Sequence, residues 1–158
     1  MNAMPTFPLA FFSADTPPPA FSNPSELSGT HERRSKLRVL VVDDEQLIAT
    51  TLVAILNNNG FETTHAFSAE DALAAARDFC PDIVLSDVLM PRMSGIDLGM
   101  RLRQELPSAH VILFSGQAAT AVLLRKARLD GYEFELLAKP IHPEELIAHL
   151  RSLKLPRP

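Results

Sequence analysis

Apolar residues along this chain fall into two rhythms. Continuous runs occupy residues 39–42 (Val-Leu-Val-Val), 83–85 (Ile-Val-Leu) and 111–114 (Val-Ile-Leu-Phe). Short runs rich in β-branched residues predict strands buried on both faces. Weaker runs at 61–66 and 134–138 predict two further strands. Between the runs the spacing becomes helical. Leu47, Ile48, Thr51, Leu52, Ile55 and Leu56 make the first stripe, and Ala69, Ala72, Leu73, Ala76 and Phe79 the second. Leu98, Leu102 and Leu106 make the third, residues 118–129 the fourth, and Leu146, Ile147, Leu150 and Leu153 the fifth. Gly60 and Pro107 supply stops, and Ser68 is the expected N-cap of the second helix. Five strands alternating with five helices predict an α/β domain, a parallel sheet with helices on both faces.

The alternation begins at Arg38, and what precedes it differs in kind. Six prolines fall within residues 1–37, among Ser, Thr, Asn and Ala. Proline fixes φ and removes a backbone donor, so this stretch is expected to be a disordered tail despite Phe7, Phe11, Phe12 and Phe21. Pro5 and Pro8 interrupt its one apolar candidate for a secretory signal. The basic stretch 31–38 reads as a solvated linker. The expected organisation is therefore a tail over 1–37, one domain over 38–154 and a short C-terminal tail over 155–158.

Composition narrows the function classes. The chain has 158 residues, is 46% hydrophobic and 22% charged, and carries a net charge of −4. Those values suit one globular domain and give no global sign of a nucleic-acid or anionic-membrane partner. No apolar run is long enough to span a bilayer. The single cysteine, Cys80, excludes an internal disulfide. It suits a reducing cytoplasm, and next to Pro81 it is expected to be packed and inert. Walker phosphate loops, zinc-type Cys/His clusters and G-x-S-x-G elbows are missing from the sequence.

The chemistry lies at the strand ends. In open parallel sheets, sites form outside the carboxyl ends of the strands. The first strand ends in Asp43 and Asp44, the third in Asp87, the fourth in Ser115 and the fifth in Lys139. A strand-end aspartate alone more often caps a loop. Three carboxylates, a hydroxyl and an ammonium, each after an apolar run, argue for a shared site. Crowded carboxylates repel, and a divalent cation with a preference for hard oxygen, Mg²⁺, relieves that repulsion. A carboxylate so placed can attack phosphorus and form an acyl phosphate, with metal and ammonium offsetting charge on the transferring oxygens. Ser115 could hydrogen-bond the new phosphoryl oxygen.

Val41-Val-Asp-Asp-Glu45, Ser86-Asp-Val-Leu-Met-Pro91 with Gly95, Phe114-Ser-Gly116 and Ala138-Lys-Pro140 together resemble the response-regulator receiver domain of two-component signalling. The resemblance runs from about Arg38 to Lys154. It implies a flavodoxin-like doubly wound sheet of order 2-1-3-4-5. It implies that Asp87 is the phosphoacceptor, charged by a sensor histidine kinase or a phosphotransfer protein. Asp44 and Asp87 would ligate Mg²⁺ by side chain, Asp43 through water and Leu89 by its backbone carbonyl. Ser115 would be the hydroxyl switch and Lys139 the phosphoryl contact, with a cis bond before Pro140. The protein would be a cytoplasmic phosphorelay switch, signalling through an unidentified downstream protein, not an enzyme. Too few residues follow Lys154 for a helix-turn-helix domain, so no fused output domain and no direct DNA binding are expected.

The sequence also departs from the family pattern. Leu136 stands three residues before Lys139, where the family often has Tyr or Phe. Leu89, two residues after Asp87, is apolar, and Gln117, two after Ser115, is polar; both are expected beside the path of hydrolytic water. The turn 130–133 is slightly longer than usual. Two alternatives follow. One is a Mg²⁺-dependent phosphohydrolase with Asp87 as nucleophile, disfavoured because Leu89 replaces the acid/base aspartate of a D-x-D motif. The other is a receiver-like scaffold indifferent to phosphate, which Leu136 keeps open.

Overall fold

The structure, a computed structural model, describes residues 36–116 and 120–155. The expected N-terminal tail lies almost wholly outside the described residues, as does Gln117. Five strands alternate with five helices: β1 Arg38–Val42, α1 Gln46–Asn58, β2 Glu62–Ala66, α2 Ala69–Phe79, β3 Ile83–Asp87, α3 Gly95–Glu105, β4 His110–Ser115, α4 Thr120–Leu129, β5 Glu135–Ala138 and α5 Pro143–Ser152. All neighbouring strands pair in parallel, in the order β2-β1-β3-β4-β5.

The apolar runs follow from this order. β1, β3 and β4 are interior strands covered on both faces, and their runs are continuous. Their alternate residues feed two cores. Leu40, Val42, Val84, Val111 and Leu113 pack with α2, α3 and α4 through residues such as Ala72, Ala76, Leu98, Leu102 and Ala127. Val39, Val41, Ile83, Leu85, Ile112 and Phe114 pack on the other side with Ala49, Leu56, Leu146, Ile147 and Leu150 of α1 and α5. Each fully buried Leu or Ile contributes about 1.5–3 kcal/mol relative to exposure. The two cores therefore fix which end of every interior strand faces the loops. β2 and β5 are the sheet edges, which is why their patterns are weaker.

Local chemistry sets the helix ends. Ser68 caps α2 by accepting from the Asp71 amide at 3.1 Å. Ser94 and Asp97 form a reciprocal capping box at the start of α3. Pro143 opens α5, with Glu144 and Glu145 in its first turn, where the helix dipole favours acids.

Two expectations are corrected. Leu47 does not belong to the buried face of α1 and is 79% exposed. The buried arc is centred on Ala49 and Leu56, and Leu47 lies roughly 160° round the helix from Ala49. Cys80 is exposed instead of packed. It is the C-cap of α2 in the left-handed conformation (φ 48°), which turns its side chain outward, and its Sγ donates to the Arg77 carbonyl at 3.4 Å.

The end of β3 and the start of α3 are in close contact. The Gly95 amide donates to the Val88 carbonyl at 2.9 Å. A Cβ on Gly95 would lie 2.0 Å from the Asp87 carbonyl oxygen and 2.8 Å from Ser86 Oγ. Gly95→Ala would drive a methyl group into backbone that the sheet holds. We expect a loss of about 1–3 kcal/mol by denaturant unfolding. Helix propensity alone would stabilise, by up to about 1 kcal/mol. A raised midpoint would show that α3 has room to slide.

Candidate functional site

β1 sends the chain to β2 on one side, while β3 lies on its other side. The loops at the carboxyl ends of β1 and β3 diverge there and leave a crevice. The acids sit at that crevice. Asp43, Asp44 and Asp87 each place a carboxylate oxygen within 4.8 Å of the others. Asp43 is buried, Asp87 half-buried and Asp44 exposed.

Lys139 closes the group from the end of β5. Its ammonium lies 3.1 Å from Asp43 Oδ2 and 3.3 Å from Asp87 Oδ1. Its amide donates to the Ser115 carbonyl at 2.9 Å, which pins the end of β5 against β4. The Lys139–Pro140 bond is cis, as the resemblance implies. Asp43 Oδ1 accepts from the Glu45 amide at 2.9 Å, so each Asp43 oxygen already has a donor. Strand parity explains the grouping. Asp43, Asp87 and Lys139 continue the alternation of Val41, Leu85 and Leu137, on the side of α1 and α5. Ser115 continues that of Val111 and Leu113, on the side of α2 to α4. The Ser115 hydroxyl accordingly donates to the hydroxyl of Thr120, the buried first residue of α4.

The electrostatics are unbalanced. Three carboxylates and one ammonium leave two negative charges in a recessed site. Burial raises the Asp87 pKa; Lys139 pulls it down and Asp43 pushes it up, and the net direction is upward. Burial lowers the Lys139 pKa, but its hydrogen bond and charge contact with Asp43, together with Asp87, outweigh that and leave it raised. The donor set is all hard oxygen and its excess charge matches one divalent cation. These residues fit Mg²⁺.

Comparison with known proteins agrees with this geometry. Residues 39–151 match the model of the response regulator receiver domain. The chain belongs to this family. It is 40% identical over 115 residues to the "Probable transcriptional regulatory protein TcrX" of Mycobacterium tuberculosis, covering 73% of this chain and 48% of the relative. It is 35% identical to the "DNA-binding response regulator MtrA" of Mycolicibacterium paratuberculosis, covering 73% of this chain and 50% of the relative. Among solved structures, a receiver domain protein from Clostridium thermocellum superposes with a TM-score of 0.65 at 28% identity, covering 73% of this chain and 91% of that one. The Vibrio cholerae chemotaxis protein CheY4 gives a TM-score of 0.64 at 26% identity, covering 74% and 98%. Receivers of this family generally bind Mg²⁺ at an acidic pocket of this kind.

One expectation is overturned here. The absence of direct DNA binding does not stand, because the curated relatives are named as transcriptional and DNA-binding regulators. The chain spans about half their length. A count of residues after Lys154 therefore says nothing about output. Among the described residues, no helix is long and apolar enough to cross a membrane.

Sequence reasoning missed Thr120. A signal was present: Thr120, Leu124 and Ala127 are spaced i, i+4, i+7, which puts a hydroxyl on the inward face of α4. Leu136 is 43% exposed, and the aromatic residues near it lie elsewhere: Phe134 packs on Gly99 of α3, with Tyr132 stacked on it at 6.3 Å.

The raised Asp87 pKa has a consequence for stability. A carboxyl whose pKa rises on folding is more costly to ionise in the fold than in the unfolded chain. That cost is present above the folded pKa and vanishes below the unfolded value. Asn at position 87 removes it at neutral pH, while Lys139 keeps Asp43. In Mg²⁺-free buffer at pH 7 we expect Asp87→Asn to melt above the wild type by a few degrees at most, with the difference closing as pH falls. A clearly lower Tm would mean that the Lys139–Asp87 pair outweighs burial.

Proposed function

We propose that this receiver accepts a phosphoryl group on Asp87 from the phosphohistidine of a sensor histidine kinase or phosphotransfer protein in the cytoplasm, and that the altered surface is read downstream. The observation that carries this is the Lys139 ammonium held between Asp43 and Asp87 in a cluster with two excess negative charges. A structural ion pair needs one acid; this site keeps three.

In the reaction, an Asp87 carboxylate oxygen bonds to phosphorus as the phosphorus–nitrogen bond breaks. The electron pair of that bond stays on the imidazole, which takes up a proton. Lys139 already lies 3.3 Å from an Asp87 oxygen, where its charge faces the incoming phosphoryl oxygens. Mg²⁺, when bound, supplies the remaining positive charge for those oxygens. Asp44 and Asp87 would hold it by side chain and Leu89 by its carbonyl. Asp43 would act through water, a division supported by the donors its two oxygens already have. Ser115 would donate to a phosphoryl oxygen.

Acetyl phosphate with Mg²⁺ is expected to label wild type at one site, Asp87, with a stoichiometry near one, and to leave Asp87→Asn unlabelled. Mass mapping of the intact protein reads this. Equal labelling of the variant would overturn the acceptor assignment. Sustained release of inorganic phosphate from small esters would point instead to a phosphohydrolase.

The lifetime of the acyl phosphate gives a second measure. Water must attack phosphorus in line, and an orienting polar group speeds that attack. Leu89 is 39% exposed beside the acceptor and offers no hydrogen bond. Leu89→Asn is expected to hasten loss of phosphate from the purified phosphoprotein, by roughly tenfold or less. Unchanged decay would assign control to another residue, Gln117 being the candidate named by the sequence.

A further inference from the structure

We infer that Thr120 is a positioning residue for the switch: it holds the Ser115 hydroxyl away from Asp87 until a phosphoryl oxygen competes for the same proton, and so couples acceptor chemistry to the first turn of α4. This rests on the acceptor reading given above and adds to it a route of transmission.

The argument starts from strand parity. Ser115 is the last residue of β4 and its side chain points to the α4 side, opposite to Asp43, Asp87 and Lys139. There it donates to Thr120 Oγ1. Thr120 is 2% exposed, so its hydroxyl is shielded from bulk water. A serine hydroxyl carries one proton. Donation to Thr120 and donation to a phosphoryl oxygen on Asp87 are therefore mutually exclusive. Asp87 is paired with Phe114 across the sheet, and the Val88 amide donates to the Phe114 carbonyl at 3.0 Å, so Ser115 lies one residue from the register of the acceptor. A phosphoryl group on Asp87 would draw the proton away from Thr120. The buried Thr120 oxygen then loses a donor, and a shift of the helix that carries it is the direct way to find another.

Neighbouring residues favour α4 as the element that responds. Leu136, on β5 and paired with Leu113 of β4, has no polar atom in its side chain and is 43% exposed, so it does not compete for the Ser115 proton. Thr120 and Ala127 are the buried residues of α4.

The test uses Thr120→Val, which keeps the shape and removes the acceptor, and Thr120→Ser, which restores it. Affinity for the phosphoryl analogue beryllium trifluoride with Mg²⁺ is measured by calorimetry. Amide hydrogen exchange of α4 is measured with and without the analogue. With no bond to break, Thr120→Val is expected to bind the analogue roughly five- to tenfold more tightly, the worth of one ordinary hydrogen bond. The exchange difference in α4 should shrink. Thr120→Ser should return both to wild type. In a Ser115→Ala background, Thr120→Val should change neither, which a merely structural role would not produce. Unaltered affinity of Thr120→Val, or an effect that persists without Ser115, would overturn the inference. Thr120→Ala takes its place if the valine variant does not fold. Wild-type protein that acetyl phosphate fails to label at Asp87 would overturn the acceptor reading itself. Labelled wild type with an inert Thr120 would overturn only this coupling.

Discussion

The constraint on which the site depends is an unresolved surplus of negative charge at the end of a rigid sheet. Lys139 offsets part of it, lying 3.1 Å from Asp43 and 3.3 Å from Asp87. A protein selected only for stability would not retain a half-buried carboxyl whose pKa is raised mainly by burial. The remaining imbalance can be relieved by a cation and exploited by a transferable anion. The fold maintains it because β1 and β3 are anchored on both faces. Their residues Val39, Leu40, Ile83, Val84 and Leu85 are fully buried, so the acids at their ends cannot separate without opening both cores.

The same parity that gathers the charges sets the hydroxyls apart from them. One face of the sheet ends in Asp43, Asp87 and Lys139, next to α1 and α5. The other ends in Ser115, next to Thr120. The charged cluster and the hydroxyl pair are thus separated by a single strand alternation, with the Asp87–Phe114 pairing between them. Gly95 adds a further tie. With no Cβ, it lets α3 begin directly against the Asp87 carbonyl, and any side chain there would displace the backbone of Asp87 itself.

How much of this was legible in sequence depended on how many faces of an element are covered. The interior strands were read nearly to the residue, since burial on both sides leaves only apolar residues between Arg38 and Asp43 or between Asp82 and Ser86. The edge strand β5 begins at Glu135, not at Phe134, because an edge is held from one side and its pattern carries less information. α1 defeated the periodicity argument in a different way. Leu47, Ile48, Leu52, Val53, Ile55 and Leu56 wrap much of its circumference, so spacing alone could not reject Leu47. Cys80 was misread because a left-handed C-cap is ordinarily glycine, and nothing in the sequence marks a Cβ-bearing residue as adopting φ 48°. The ends of the strands were the most legible part of the site. A polar residue closing an apolar run stands out, and the sheet order then decides which of them meet.

Thr120 marks where that legibility stops. In sequence it is one polar residue in an alanine- and leucine-rich helix, and only the fold shows that its buried hydroxyl meets that of Ser115. Its position also bears on the missing aromatic residue. A ring at position 136 would report on Ser115 by steric occupancy, filling or leaving space on the α4 side of β5. Leu136 lacks the size and the polar atom for that, and Phe134 is committed to the contact with Gly99, where a Cβ would come within 2.7 Å of its ring. In the coupling inferred above, the hydroxyl pair at Ser115 and Thr120 would carry the same information in a different physical form. The signal would then be a choice of acceptor for one proton instead of a choice of pocket for one ring. Hydrogen bonds are directional over tenths of an ångström, whereas apolar contacts tolerate sliding. On that inference, a receiver with Leu136 would depend more strictly on where α4 begins.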